Sequence, residues 1–202
     1  GLLGDETQAV EIGVGAGGYR GEDVSTLTRD EEQARLTLTT QYLAEATGQK
    51  PQGWFGLPRQ SDPFAGGTTS PHTIDLLLDA GYAWFGNGQA DDIPHYWVTD
   101  FATRRSLLTL PYHYHFDDQW FCMFPGKGTG IENPDFLARN WRCEFAAQYS
   151  RGRHFHMVVH PQHIGWANRI QMLDDFLTHL RQHPGLWIAT GSELATHWAA
   201  KH

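Results

Sequence analysis

His-Phe-His-Met-Val-Val-His-Pro-Gln-His-Ile-Gly, residues 154–165, is the segment around which the rest of the chain is organised. Its apolar run, residues 155–159, predicts a short strand that is covered on both faces, as in a parallel sheet. Pro161 has no N–H to donate to a neighbouring strand, so the strand should end at His160. In α/β folds, binding and catalytic groups lie at that end of a strand. His160 is therefore either a functional side chain or a capped histidine of the core.

The chain on both sides of this stretch alternates between strand-like and helix-like segments. Five further strands are predicted at residues 10–15, 54–57, 82–85, 107–110 and 186–189. Helices are predicted after a capping box at Thr28 and Glu31, after Ser70-Pro71, after Asn133-Pro134, over residues 168–182, and after Ser192. Repeated β-then-α units predict an α/β fold with a parallel, barrel-like sheet. A chain of 202 residues is predicted to form a single domain, residues 1–202.

Composition excludes some partners and favours others. The formal net charge of −8 argues against nucleic acid and against an anionic membrane surface. No apolar stretch approaches the roughly 18 residues that a membrane span needs. Cys122 and Cys143 form no disulfide framework, so a cytoplasmic protein is expected, although the chain opens on Gly1 and a leader could have been lost. A small-molecule ligand is expected, and a homo-oligomer stays open.

Three segments together carry a family resemblance. They read Leu-Pro-Tyr-His-Tyr-His-Phe-Asp-Asp (110–118), Val-Val-His-Pro-Gln-His-Ile-Gly (158–165) and Gly-Leu-Trp-Ile-Ala-Thr (185–190). The chain resembles the polysaccharide deacetylases, or NodB-homology carbohydrate esterases, from about residue 11 onward. The most similar branch contains allantoinase-like and cyclic-imide-hydrolysing members. The resemblance implies a (β/α) barrel of the NodB type.

The chemistry that the resemblance implies is hydrolysis of an amide, an acetamide or a cyclic imide. In the family, one aspartate and two histidines hold a divalent cation, which lowers the pKa of a bound water. A second aspartate acts as the base. A histidine in a late His-Pro motif protonates the leaving nitrogen, which a neutral-range imidazole is suited to do.

The sequence departs from this pattern where the family holds its metal. The family's His-x-x-x-His motif falls in a segment that resembles residues 16–24, and Gly17 and Gly21 stand at the two histidine positions. The family's early Asp-Asp motif would precede residue 1. The usual metal site is therefore not expected to form, and no cofactor is expected. The barrel should be incomplete or distorted.

The resemblance still assigns roles to part of a catalytic pocket. The catalytic candidates are His160, Asp118, Asp117 and Arg59, and the candidate pocket residues are Trp120, Phe121 and Tyr112. An aspartate of the late acidic motif would orient His160, as in other acid–base pairs. Arg59 would bind a carboxylate or an imide oxygen, or it is a solvated loop charge. The aromatic residues form a pocket wall, or they are ordinary core residues.

Four histidines offer an alternative metal site. They alternate along two strand-like segments, at His113 and His115 and at His154 and His156. Four imidazoles near aspartates could hold a relocated divalent metal. Partly exposed histidines on adjacent strands, without a metal, are the other outcome.

Three classes of function therefore compete. The first is a hydrolase of non-peptide C–N bonds that acts without the family metal or with a relocated one. The second is a catalytically degenerate homologue that binds a small ligand or a partner chain. The third is that this chain is one part of a larger functional unit.

Overall fold

The structure, a computed structural model, describes residues 15–18, 23–56, 68–88, 90–112, 116–123 and 133–202. The chain divides into two units, each assembled from separate stretches. The first unit comprises Gly1–Asn87, Tyr96–Leu110 and Ala189–His202, and the second comprises Gly88–His95 and Pro111–Ile188. The single domain over residues 1–202 stays a prediction.

The sheet has five described strands: β1 (Gly15–Ala16), β2 (Gly53–Trp54), β3 (Trp84–Gly88), β4 (His95–Asp100) and β5 (Arg105–Pro111). Their order is β1-β2-β3-β5-β4, and β2 pairs in parallel with both β1 and β3. Four residues join β4 to β5, too few for the crossover that parallel neighbours need, so this pair is antiparallel. Within the described residues the sheet is open. The predicted α/β class is confirmed, with a mainly parallel sheet and a barrel that does not close.

Seven α-helices lie in the described residues: α1 (Arg29–Thr47), α2 (Thr73–Asp79), α3 (Asp118–Met123), α4 (Pro134–Ser150), α5 (Pro161–Ile164), α6 (Ala167–Arg181) and α7 (Gly191–Ala199). A single 3₁₀ turn, Val24–Thr26, precedes α1. Of these described helices, none is both long enough and apolar enough to cross a membrane.

The predicted helix starts that depend on local contacts agree with the structure. Glu31 accepts the backbone N–H of Thr28 at 2.8 Å, and the Thr28 hydroxyl accepts the N–H of Glu31, so the predicted capping box is confirmed. Asn133 caps α4, with Pro134 in the first turn, as predicted. Each of these caps needs only residues within three positions of one another, which sequence spacing reveals directly.

Two predicted caps are wrong because the serine hydroxyls have distant partners. Ser70 does not cap α2: its hydroxyl accepts the N–H of His72 at 2.9 Å and donates to the buried carboxylate of Glu32. Thr190, not Ser192, caps α7. The Ser192 hydroxyl instead accepts the indole N–H of Trp84 at 3.3 Å.

Two predicted strands are also absent from the described residues. In residues 155–159, only Val158 pairs, through one parallel bridge to Asp117. The apolar side chains of this run, Phe155 and Met157, pack against the helical core of the second unit. Residues 186–189 form no strand either. Conversely, β4 was not predicted, although its run of aromatic and β-branched residues is typical of a strand.

The core of the first unit covers both faces of its sheet. Phe85 and Leu107 pack with helix residues such as Leu77 on one face, and Trp84 packs with Leu108 and Ala195 on the other. Close packing against the Trp84 ring requires glycine at position 53, where a Cβ would lie 2.0 Å from a ring atom.

The core of the second unit is built mainly from α4 and α6. Trp141 and Phe145 of α4 are fully buried against Phe176 of α6. Phe116 and Ile164 belong to the same cluster. These two residues flank the polar side chains described next, so the helical core fixes the chain segments that carry them.

Candidate active site

Among the described residues, Asp117, Asp118 and His160 form the one group of three or more potential metal-ligating side chains, with their ligand atoms within 4.8 Å of one another. Asp118 begins α3, and His160 directly precedes α5. The two segments are joined by backbone hydrogen bonds on either side of Val158. Val158 N–H donates to Phe116 O at 3.1 Å, and Asp118 N–H donates to Val158 O at 3.1 Å.

His160 is held by Asp118 through both its ring and its backbone. Its Nδ1 lies 2.7 Å from Asp118 Oδ1, and its backbone N–H donates to the two carboxylate oxygens at 3.1 and 3.0 Å. The predicted hydrogen bond between His160 and an aspartate is confirmed. Because a carboxylate accepts hydrogen bonds, Nδ1 carries the hydrogen. Nε2 is left to accept or donate a proton, on a side chain that is 28% exposed.

Asp117 is the second carboxylate of the site, but it does not bond the imidazole. Its Oδ1 lies 3.6 Å from His160 Nδ1. Its oxygens accept instead from the Tyr112 hydroxyl at 2.9 Å and from the Gln119 N–H at 2.8 Å. Burial raises the pKa of Asp117, although these two hydrogen bonds and the charge of His160 partly oppose that rise. Asp118 is therefore the orienting partner, and Asp117 is a buried neighbour.

Two of the three predicted pocket residues, Tyr112 and Phe121, have contacts in the described part of the structure. Tyr112 is buried, donates to Asp117, and packs its ring edge-on against His156. Phe121 packs against the core of the second unit, as an ordinary core aromatic would. The Trp120 side chain lies outside the described residues, as does Arg59, so their roles stay predictions.

The alternative four-histidine metal site also stays a prediction. His113 and His115 lie outside the described residues. His154 and His156 stack with ring centroids 6.2 Å apart, and neither joins the group of Asp117, Asp118 and His160.

Gly17 tests whether the family metal could bind where the resemblance puts it. Glycine offers no ligand atom, and a Cβ at this position would lie 2.9 Å from the backbone oxygen of Phe55. A histidine would not fit here without moving the backbone of the neighbouring segment. This position does not fit a metal ligand, and Gly21 lies outside the described residues.

Sequence reasoning missed His163, which lies beside His160, and Arg169, which bonds the backbone of His163. The ring of His163 lies 5.6 Å from that of His160, centroid to centroid. Arg169 is buried, stacks over Trp166, and donates to the backbone oxygen of His163 at 3.0 Å. A signal for His163 was present, since it follows His160 by three residues and Pro161 favours a helical turn between them.

No protein-family model matches the chain, but curated proteins are similar to it. A Schizosaccharomyces pombe protein whose name assigns it to the polysaccharide deacetylases is 28% identical over 124 residues, 55% of this chain and 37% of that protein. A peptidoglycan deacetylase of Helicobacter pylori is 23% identical over 90% of this chain and 68% of its own length. The chain thus spans little more than a third of the first relative.

Solved structures match over most of this chain but only part of their own. A Pseudomonas aeruginosa structure described as a polysaccharide deacetylase has a TM-score of 0.78 and 24% identity, covering 94% of this chain and 60% of its own. A Mycobacterium smegmatis structure of the same description has a TM-score of 0.77 and 27% identity, and the match covers 91% of this chain and 62% of that one. The structure of an allantoinase has a TM-score of 0.75 and 24% identity, and the match covers 92% of this chain and 58% of that one. The structure of a CE4 family pseudoenzyme from Bacillus anthracis has a TM-score of 0.50 and 17% identity, and the match covers 90% of this chain and 45% of that one. These relatives in sequence and structure point to the polysaccharide deacetylase family, with an allantoinase among the structural neighbours.

Proposed function

We propose that the protein is a hydrolase of non-peptide C–N bonds, acting on an amide, an acetamide or a cyclic imide. The observation that carries the proposal is the pair formed by His160 and Asp118, with Nδ1 and Oδ1 2.7 Å apart. A carboxylate that fixes the tautomer of an imidazole and stabilises its charged form makes an acid–base pair.

His160 would move the proton at Nε2. In its charged form, the Nε2–H donates to the leaving nitrogen as the C–N bond breaks, so the amine leaves neutral. In its neutral form, Nε2 accepts a proton from the attacking water. Asp118 keeps Nδ1 protonated in both forms, which confines the exchange to the partly exposed side of the ring. Gly17, at one of the two histidine positions that the resemblance gives, does not fit a metal ligand, and no step of the proposed reaction uses a metal.

Asp117 lies next to this pair, with its Oδ1 3.6 Å from His160 Nδ1. Its pKa is raised by burial, so the carboxyl holds a proton more readily than an exposed aspartate does. This reduces the repulsion between two adjacent carboxylates. The bond from Tyr112 keeps the Asp117 side chain away from the imidazole.

The substrate class rests on the relatives' names. Deacetylases and allantoinase both hydrolyse C–N bonds that are not peptide bonds. The chain spans only part of those proteins, so the choice among acetamide, amide and imide is part of the proposal.

A substrate panel tests the proposal. Purified protein would be assayed, with and without a chelator, on acetylated amino-sugar oligomers, simple amides, hydantoins and cyclic imides. We expect turnover of at least one class, and a loss of about 10²- to 10⁴-fold for His160→Gln. His72→Gln, which changes a partly exposed histidine of the first unit, is the matched control and should retain activity. Absence of turnover on the whole panel would overturn the proposal.

The second candidate is a homologue that binds such molecules without hydrolysing them. The observation that favours it is Gly17, where the family's metal chemistry has neither a ligand nor room for one. Calorimetry with the same panel separates the candidates, because binding without turnover in the wild type supports this one.

A further inference from the structure

We propose that His160 and His163 form a binding site for a transition-metal cation such as Zn²⁺, which competes there with the catalytic proton. The site itself follows from the geometry of the two imidazoles. Its effect on catalysis rests on the proposed function.

His160 is prearranged as a metal ligand. A histidine that binds metal usually donates its other ring N–H to a carboxylate or carbonyl, which fixes the ring and raises its basicity. His160 has this arrangement, with Nδ1 2.7 Å from the fully buried Asp118. The lone pair of Nε2 is then free of the bond to Asp118, on a side chain that is 28% exposed.

His163 lies at the distance a second ligand requires. The two ring centroids are 5.6 Å apart, and the ring planes differ by 59°. Zn–N bonds of about 2.0–2.1 Å in tetrahedral geometry hold two imidazole centroids about 5–5.5 Å apart. The separation of the two rings is therefore close to the one that a shared cation would impose.

The turn that carries both histidines is fixed from two sides. The N–H of His163 donates to His160 O at 2.8 Å, which closes the turn. The buried guanidinium of Arg169 donates to His163 O at 3.0 Å. Because the backbone is already held, binding a cation orders little more than the His163 side chain.

The carboxylate side of His160 is a poorer place for a cation. Asp117, Asp118 and His160 could together surround one. However, Asp118 already accepts three hydrogen bonds from His160, and both Asp117 oxygens accept from Tyr112 or Gln119. Among the residues that the structure describes, no hydrogen bond to His160 Nε2 would have to break. Imidazole ligands also select Zn²⁺, Cu²⁺ or Ni²⁺ over Mg²⁺ and Ca²⁺.

A second histidine pair in the same unit provides a control. His179 and His183 lie at the end of α6, with centroids 4.7 Å apart. Burial lowers the pKa of His179, and so do the charge of Arg142 and that of His183. The guanidinium repels a cation, and among the described residues no carboxylate bonds either ring. We expect no metal site here.

Metal titration of the chelator-treated full chain tests the site. Co²⁺ absorption and Zn²⁺ calorimetry should show saturable binding in the wild type. Affinity should fall about 10- to 100-fold in His163→Gln and in Asp118→Asn, as for a lost ligand or its carboxylate partner. His183→Gln should bind like the wild type. Absence of saturable binding, equal affinity in His163→Gln, or loss of binding in His183→Gln would overturn the proposal.

Inhibition tests the competition with the proton. Zn²⁺ should inhibit hydrolysis in the wild type, and a chelator should restore it, while His163→Gln should need about tenfold more Zn²⁺. Zinc that binds at His163 without inhibiting would overturn the competition. If the protein hydrolyses nothing, the proposed function fails, and the binding titrations still decide whether the metal site exists.

Discussion

The surroundings of Trp84 in the first unit and of His160 in the second are built in opposite ways. Around Trp84, room is made by leaving side chains out, because Gly15, Gly53 and Gly191 all lie against its ring. Around His160, charged side chains are buried, and each has hydrogen-bond partners. An added side-chain atom would clash with the ring in the first arrangement. In the second, removing a side chain would leave buried hydrogen-bonding groups without their partner.

The comparison also bears on chemistry. A side chain is the means by which a protein holds a metal or moves a proton. The glycine-rich strands of the first unit therefore provide packing, and the ionisable groups of the described site all belong to the second unit.

The largest effect is expected from adding one methyl group beside Trp84. In Gly53→Ala the new Cβ would lie 2.0–2.4 Å from three ring atoms, so the ring and strand must move apart. The free energy of unfolding should fall by about 3 kcal/mol. Urea denaturation of the purified variants would measure this loss.

Trp84→Phe provides the control for that substitution, because phenylalanine lacks the clashing ring atoms. In the Trp84→Phe background, the added methyl group should cost much less. An equal loss in both backgrounds would show that the clash with Trp84 is not the cause.

A somewhat smaller loss is expected from removing the carboxylate that holds His160. Asp118→Ala leaves the backbone N–H and ring N–H of His160 without their acceptor, at a cost of about 2–3 kcal/mol in unfolding free energy. Asp118→Asn keeps one acceptor oxygen and should lose less. If both variants unfold like the wild type in urea, the site is not held as described.

Gly17→Ala tests whether the first unit leaves room for a ligand where the family would have one. Its Cβ would meet the backbone oxygen of Phe55 at 2.9 Å, so unfolding free energy should fall by about 1–2 kcal/mol. Thermal unfolding at fixed pH measures the change. A variant as stable as the wild type would mean that this position accepts side chains.

The smallest effect is a pH dependence at Asp117. Burial raises its pKa above the ordinary 3.8, so its contribution to stability is present below that value and is lost as pH rises through the folded-state pKa. Asp117→Asn has no such loss. Relative to the wild type, the variant should gain stability in urea denaturation as the pH rises above the ordinary aspartate pKa of 3.8. If the variant instead loses stability relative to the wild type as the pH rises, the pKa of Asp117 is lowered in the folded protein.

Sequence predicted those features that depend on neighbours along the chain. The capping box of α1 and the Asn133-Pro134 start of α4 are examples. It also located His160 and the two aspartates, through a resemblance. It could not tell which aspartate holds the imidazole, because that depends on the Tyr112 hydroxyl occupying Asp117.

The errors have the same physical origin. A strand needs a partner as well as an apolar run, and residues 155–159 find only one bridge. Ser70 and Ser192 have the right residue type for a cap, but their hydroxyls bond Glu32 and Trp84. His163 was missed although its spacing from His160 was a signal, because only the structure gives the distance between the two rings.

The bridge between Asp117 and Val158 has a consequence for the order of folding. It joins segments about 40 residues apart in the chain, which the hydrogen bonds from His160 to Asp118 also link. Closing such a loop costs entropy that a few hydrogen bonds do not offset, so we expect the packing of α4 against α6 to come first. The acid–base pair should therefore be among the last parts of the second unit to form on refolding. In native-state hydrogen exchange, the Asp118 and Val158 amides should exchange before those of the α4–α6 core.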